Sequence, residues 1–123
     1  MAIRELERDR AKFAYNRVEE VAEDGSVKHS EYKSYCKKIP SLIQTNGLSA
    51  TFAFMNSKGG TYKTIYNQVD SWLIDRYKGD GDLDNGQELM KKLLALESTK
   101  YRKVTIEILA LFSWLRRFAD GKL

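Results

Sequence analysis

The sequence predicts an all-α protein, a compact bundle of about six helices forming a single domain over residues 1–123. Apolar residues recur at three- and four-residue spacing along most of the chain, the signature of amphipathic helices. No stretch alternates in the manner of a half-buried strand, and no internal repeat appears. The segment Val104–Leu115 is apolar at nine of twelve positions. A surface helix needs an apolar stripe only about 100° wide, so a helix greasy on nearly every side is either central to the core or covered by a partner.

The first helix is expected over residues 2–24, carried by Ile3, Leu6, Ala11, Phe13, Ala14, Val18, Val21 and Ala22, and stopped at Asp24-Gly25-Ser26. Ser30 is the expected N-cap of the second, which places Tyr32, Tyr35, Cys36, Ile39 and Ile43 on one side. Pro40 lacks an N–H and crowds the preceding turn, so a kink or a restart is expected there. Asn46-Gly47 reads as a C-terminal stop. Leu48 to Met55 is apolar and short, and pattern alone does not separate helix from buried strand. Tyr62, Ile65, Tyr66, Val69, Trp72 and Leu73 mark the next helix, Gly79 to Gly86 a polar loop, and Leu89, Met90, Leu93 and Leu94 a fifth helix. The last follows Ser98-Thr99, closes on Arg116-Arg117, and has Gly121 as its expected stop.

Composition narrows the function classes. A chain of 123 residues that is 42% apolar and 31% charged can bury a real core. The charged start from Arg4 lacks the apolar core of a secretory signal, which favours the cytoplasm. The twelve-residue greasy run falls short of the roughly 20 residues needed to span a bilayer. Cys36 is the sole cysteine, so no internal disulfide forms. With His29 it makes up the whole set of soft ligands, too few for a structural zinc site. His29 lies in a polar turn and is a poor base for nucleophilic catalysis. No catalytic group, metal site or cofactor is expected.

Net charge is +4 and unevenly spread. Residues 1–24 sum to −2, residues 25–63 to +5, residues 64–97 to −3 and residues 98–123 to +4. Clustered Lys and Arg form the electrostatic footprint of a nucleic-acid binder, although a solvated helix face has the same composition.

Two motifs imitate ligand loops. Lys58-Gly59-Gly60-Thr61-Tyr62-Lys63-Thr64 resembles a deviant Walker A loop, but Tyr62 stands where a glycine must precede the lysine. The expected reading is a Gly-Gly turn between helices with Lys63 solvated. Asp80-Gly81-Asp82-Leu83-Asp84-Asn85-Gly86 supplies the first carboxylates of an EF-hand loop. Lys91, however, occupies the position of the bidentate Glu. A solvated acidic loop is expected.

Two further stretches carry a resemblance. Tyr32-Lys33-Ser34-Tyr35, then Lys37-Lys38-Ile39-Pro40-Ser41-Leu42-Ile43-Gln44-Thr45-Asn46-Gly47-Leu48, followed by Phe52-Ala53-Phe54, is similar to the central signature of one family. Tyr101-Arg102, Val104-Thr105, Glu107 and Trp114-Leu115-Arg116-Arg117-Phe118-Ala119 are similar to its C-terminal signature. The family is the small subunit of type III-B CRISPR–Cas (Cmr) effector complexes, which silence RNA. The resemblance runs from about Ala11 to Ala119. It implies a helical, non-catalytic subunit that stacks along a filament beside the backbone subunits and helps form the target-strand channel. The implied partners are the backbone and large subunits, further copies of itself, and the guide and target RNA.

Lys33, Lys37 and Lys38, backed by Arg116 and Arg117, are the expected RNA contacts, with Arg10 and Arg17 as further candidates. Lys33 and Lys37 lie one turn apart and share a face opposite Tyr32, Cys36 and Ile39. Trp114 and Phe118 are the expected protein interface. Two rival readings remain: a protein–protein adaptor whose lysines only solubilise it, and a nucleotide-dependent switch using residues 58–64.

Overall fold

The computed structural model describes residues 3–123; residue 2, the expected beginning of the first helix, and the side chain of Ile3 lie outside that description. The described chain is all-α: α1 (Ile3–Glu23), α2 (His29–Asn46), α3 (Leu48–Lys58), α4 (Gly60–Arg76), α5 (Leu89–Ala95) and α6 (Ser98–Lys122). Helix α6 packs against α1 and α2, while α3 packs against α2, α4 and α5. One core joins all six. It takes Ala14, Val18 and Val21 from α1 and Tyr32, Cys36, Ile39 and Ile43 from α2. Ile65, Val69, Trp72 and Leu73 come from α4, and Val104, Ile108, Leu111, Phe112 and Leu115 from α6.

Two local expectations change and two left open are narrowed, each for a physical reason. Helix α2 starts at His29 rather than after Ser30, and Lys28 before it offers no side-chain cap. Val27 and Tyr32 flank its first turn and are both buried, the spacing of a hydrophobic staple, so burial sets this start. Pro40 neither ends nor restarts α2, which continues to Asn46. An interior proline costs about 3 kcal/mol relative to alanine. Ile39 and Ile43 on either side of it are buried in the common core and hold both halves in place. The Leu48–Met55 segment is helical, entered through Gly47 at φ +91° and left through Gly59 at φ +70°. Gly121 lies inside the last turn of α6, which ends at Lys122; a helical glycine costs only about 1 kcal/mol.

The polar loop after α4 is anchored rather than free. Leu83 is fully buried, and the ammonium of Lys92, itself only 1% exposed, donates to the Leu83 carbonyl and to Asp70 Oδ1, both at 2.8 Å. Asp80 and Asp82 receive the Lys100 ammonium, and Asp84 accepts from the backbone of Gly79 and Gly81. These carboxylates are therefore spent on the loop itself, and they sit lower in pKa than usual where Lys100 or backbone N–H groups hold Asp80 and Asp84. Among the described residues no cluster of His, Cys, Asp and Glu is disposed to hold a metal.

Candidate nucleic-acid interface

Helix α2 presents its basic residues in two directions. Lys37 Nζ meets Asp120 Oδ1 of α6 at 3.0 Å, while the Tyr101 hydroxyl of α6 accepts at 2.9 Å from the N–H of Ser49, at the start of α3 just past the C-terminal end of α2. The two contacts show that α2 and α6 run antiparallel. Arg116 lies one turn before Asp120 and Lys33 one turn before Lys37, so in this antiparallel pair they fall on opposite sides of the Lys37–Asp120 bridge, spread along the α2–α6 seam. Among the described residues Lys33 and Arg116 have no intramolecular ion-pair partner, and Asp120 is the one carboxylate paired at this seam. Lys38 is rotated about 100° from Lys37 and faces α3. It lines a recess with Leu42, Asn46, Ala50 and Phe54. The expected triplet is thus split over two faces.

Arg117 places its guanidinium 5.0 Å from the ring centre of Trp114, which stacks on Phe118 at 5.7 Å. Phe118 also packs edge-on against Tyr15 of α1 at 5.3 Å. Trp114 and Phe118 are half-buried along the α1–α6 seam, and the indole N–H of Trp114 donates to Glu7 at 3.3 Å. The greasy helix is therefore covered mostly from within. On the side carrying Ile106, Ala110, Trp114 and Phe118 the cover is incomplete, with Ile106 61% exposed.

Arg10 is not available to a ligand in this arrangement: it belongs to an internal charge cluster. Its Nε and Nη2 donate to the two carboxylate oxygens of Glu107 at 2.6 and 2.8 Å, and Nη1 donates to Glu7 at 2.5 Å. Glu107 is 4% exposed and also accepts from Trp72 Nε1 at 3.1 Å and Arg76 Nε at 3.3 Å. Burial alone would raise the Glu107 pKa, but the hydrogen bonds from Arg10 and Trp72 and the two guanidinium charges outweigh it and hold it low. One carboxylate thus ties α1, α4 and α6 together. Arg17 is also partly engaged: it donates to Glu20 at 2.7 Å and lies 4.6 Å above the Phe13 ring.

The Walker-like segment is a helix–turn–helix corner. Gly59 and Gly60, at φ +70° and +57°, turn α3 into α4. Lys63 is not solvated as expected: its ammonium donates to Asn56 and lies 4.2 Å above the Tyr66 ring. Tyr62 is buried, with Tyr35 stacked on it at 3.9 Å and 3° between planes. This arrangement leaves no backbone cradle for a phosphate and disfavours the nucleotide-switch reading. Cys36 is likewise sealed, and burial pushes its thiol up to about 12, so it is an inert core group at neutral pH.

Sequence reasoning missed the Glu107 cluster, the Lys92 anchor and the Tyr35–Tyr62–Phe54 group. Glu107 did carry a signal, a lone acid within the greasy helix. An ionised side chain there must be paired.

Comparison with known proteins agrees with this fold. Residues 6–122 match the family described as CRISPR-associated protein (Cas_Cmr5). A Cmr subunit Cmr5 of the CRISPR system of Thermus thermophilus is 33% identical over 112 residues, covering 90% of each chain. Its counterpart in Thermotoga maritima is 31% identical over 116 residues, covering 89% of this chain and 88% of that one. An X-ray crystal structure of a CRISPR-associated Cmr5 family protein from Thermus thermophilus superimposes with a TM-score of 0.78 at 29% identity, covering 100% of this chain and 99% of that one.

Proposed function

We propose that this chain, which belongs to the CRISPR-associated Cmr5 family and so is a small subunit of a type III-B Cmr complex, lines the path of RNA through that complex and performs no chemistry of its own. The observation that supports this reading is the line of basic residues Lys33, Lys37 and Arg116 spread along the α2–α6 seam, with Lys38 and Arg117 on the flanking faces. Cations held on rigid helices meet phosphates without reading bases, which suits a complex whose sequence choice is made by guide pairing. Arg10 leaves the set of contact residues, since its guanidinium serves Glu107, and Arg17 is a lesser one. Among the described residues no helix is long and apolar enough to cross a membrane, and the role proposed for the chain is a cytoplasmic one.

Changing Lys33, Lys37 and Lys38 to Glu together is expected to weaken target RNA binding by the assembled complex equally for every sequence. Each lost phosphate contact flattens the salt slope by roughly 0.7 for a single strand. Titrations at several salt concentrations measure this; an unchanged slope, with the subunit still incorporated, removes these lysines from the RNA path.

The partly covered side of α6 supports contact with a neighbouring subunit or another copy, with Trp114 and Phe118 at its centre. Trp114→Ala is expected to stay soluble and helical yet lose on the order of 2 kcal/mol or more of assembly energy. A melting curve and an incorporation assay together decide. Outright unfolding would place Trp114 in the core and not at an interface.

A further inference from the structure

Along α2, Glu31, Tyr35, Lys38, Leu42 and Asn46 follow one another at helical spacing and line one continuous groove against α3 and the start of α4. Two recesses, of about 480 and 520 Å³, meet where Lys38 and Phe54 line both. Three aromatic rings stand together here. Tyr62 is the buried end of a parallel stack, Tyr35 is its half-exposed outer end, and Phe54, 37% exposed, packs edge-on to Tyr62 at 5.1 Å. Lys38 on α2 and Lys58 on α3 flank the rings from opposite walls, and neither has an intramolecular ion-pair partner among the described residues. The single carboxylate in the groove, Glu31, lines the same recess one turn before Tyr35, where it is engaged as acceptor from Thr61 Oγ1 at 2.8 Å.

We propose that this groove takes one unpaired RNA base, which stacks on the outer face of Tyr35 beside Phe54 while Lys38 and Lys58 meet the phosphates on either side of it. A flat ring ending a stack, with cations on both flanks, is the chemistry of single-strand platforms: the π-face accepts any base and the lysines follow the backbone. An apolar protein side chain would use the Leu42 end and leave both lysines without a counter-charge, so the charge pattern favours a nucleotide. This inference rests on the RNA-path reading but concerns a different face from the α2–α6 seam, and it adds a contact to the base where the seam offers contacts to phosphate alone.

The test uses the reconstituted effector complex carrying Tyr35→Leu or Phe54→Leu, which keep bulk while removing the ring. Target RNAs carry 2-aminopurine, or an abasic residue, at successive positions. Either variant is expected to weaken binding roughly 5- to 150-fold with the salt slope unchanged, because a stack releases no counterions. Quenching of 2-aminopurine should occur at one register in the wild type and vanish in the variants. An abasic residue at that register should penalise the wild type alone. Lys38→Gln and Lys58→Gln should instead flatten the slope. If the aromatic variants bind every RNA as the wild type does, the base site is refuted even where the seam lysines still shift the slope. If they block incorporation of the subunit, the groove is a protein docking surface and the proposal is overturned.

Discussion

Replacing Glu107 by alanine is expected to cost the fold about 3–5 kcal/mol, the usual consequence of removing one partner from a buried ion pair. The loss follows from what remains. Arg10, whose side chain is 13% exposed, would keep its charge with only Glu7 to face, and the Trp72 N–H would lose its acceptor. Urea unfolding should show the drop, and the midpoint of thermal unfolding should fall by roughly 10–20 °C. Glu107→Gln retains shape but not charge and should lose less. The same group sets an acid sensitivity. Its pKa in the fold is depressed below the ordinary value of 4.5, so the stability it contributes is complete above that value. It is lost as pH falls through the depressed folded value. An unfolding series from pH 7 downward should therefore show wild type weakening toward acid more steeply than Glu107→Gln.

The second large effect is expected at Lys92. Lys92→Met preserves the aliphatic stem but leaves the Leu83 carbonyl and Asp70 Oδ1 without their donor. An unsatisfied buried acceptor costs about 1–3 kcal/mol. The carbonyl of fully buried Leu83 is the more costly of the two, since Asp70 is 28% exposed and can turn to water. The effect should be local as well as global, with faster proteolysis and hydrogen exchange confined to residues 77–88. Asp70→Asn should be much milder; equal effects of the two variants would show that the ion pair, and not the carbonyl bond, holds the loop.

Helix count and order were legible because each helix carries its own apolar stripe. Tyr62 through Leu73, for example, announces α4 without reference to any other segment. The greasy run of α6 announced a helix that must be covered, by the core or by a partner, and the core takes Val104, Ile108, Leu111, Phe112 and Leu115 while leaving Ile106 exposed. What was not legible is whatever depends on a distant partner. Pro40 looks like a break until the surrounding burial is known, and Leu83 looks like a loop residue until Lys92 is seen beneath it. The same limit applied to the basic residues. Residue type put both Lys37 and, behind it, Arg10 among the RNA contacts, yet Arg10 lies 97 positions from the carboxylate that occupies it and Lys37 stays half-exposed beside Asp120. The groove at Tyr35 escaped for a related reason: its rings come from three helices, and its stack exists only once Gly59 and Gly60 have turned α4 back against α2.

The bond between Arg10 and Glu107 also bears on how the chain reaches its native state. Helix α1 is made first on the ribosome, yet its main packing partner, α6, is made last. Until that late segment emerges, Ala14, Val18 and Val21 have no α6 to pack against, and at about 5–20 residues per second the wait lasts several seconds. Sealing the two helices closes a loop of nearly the whole chain, an entropic cost that grows only with the logarithm of its length but must be met before any contact rewards it. The middle helices have near neighbours to assemble with meanwhile, so the expected order is α2 to α4 first and the α1–α6 closure last. For a subunit destined for a larger particle, that order makes the completed α1–α6 seam a late event, finished only once α6 has been made.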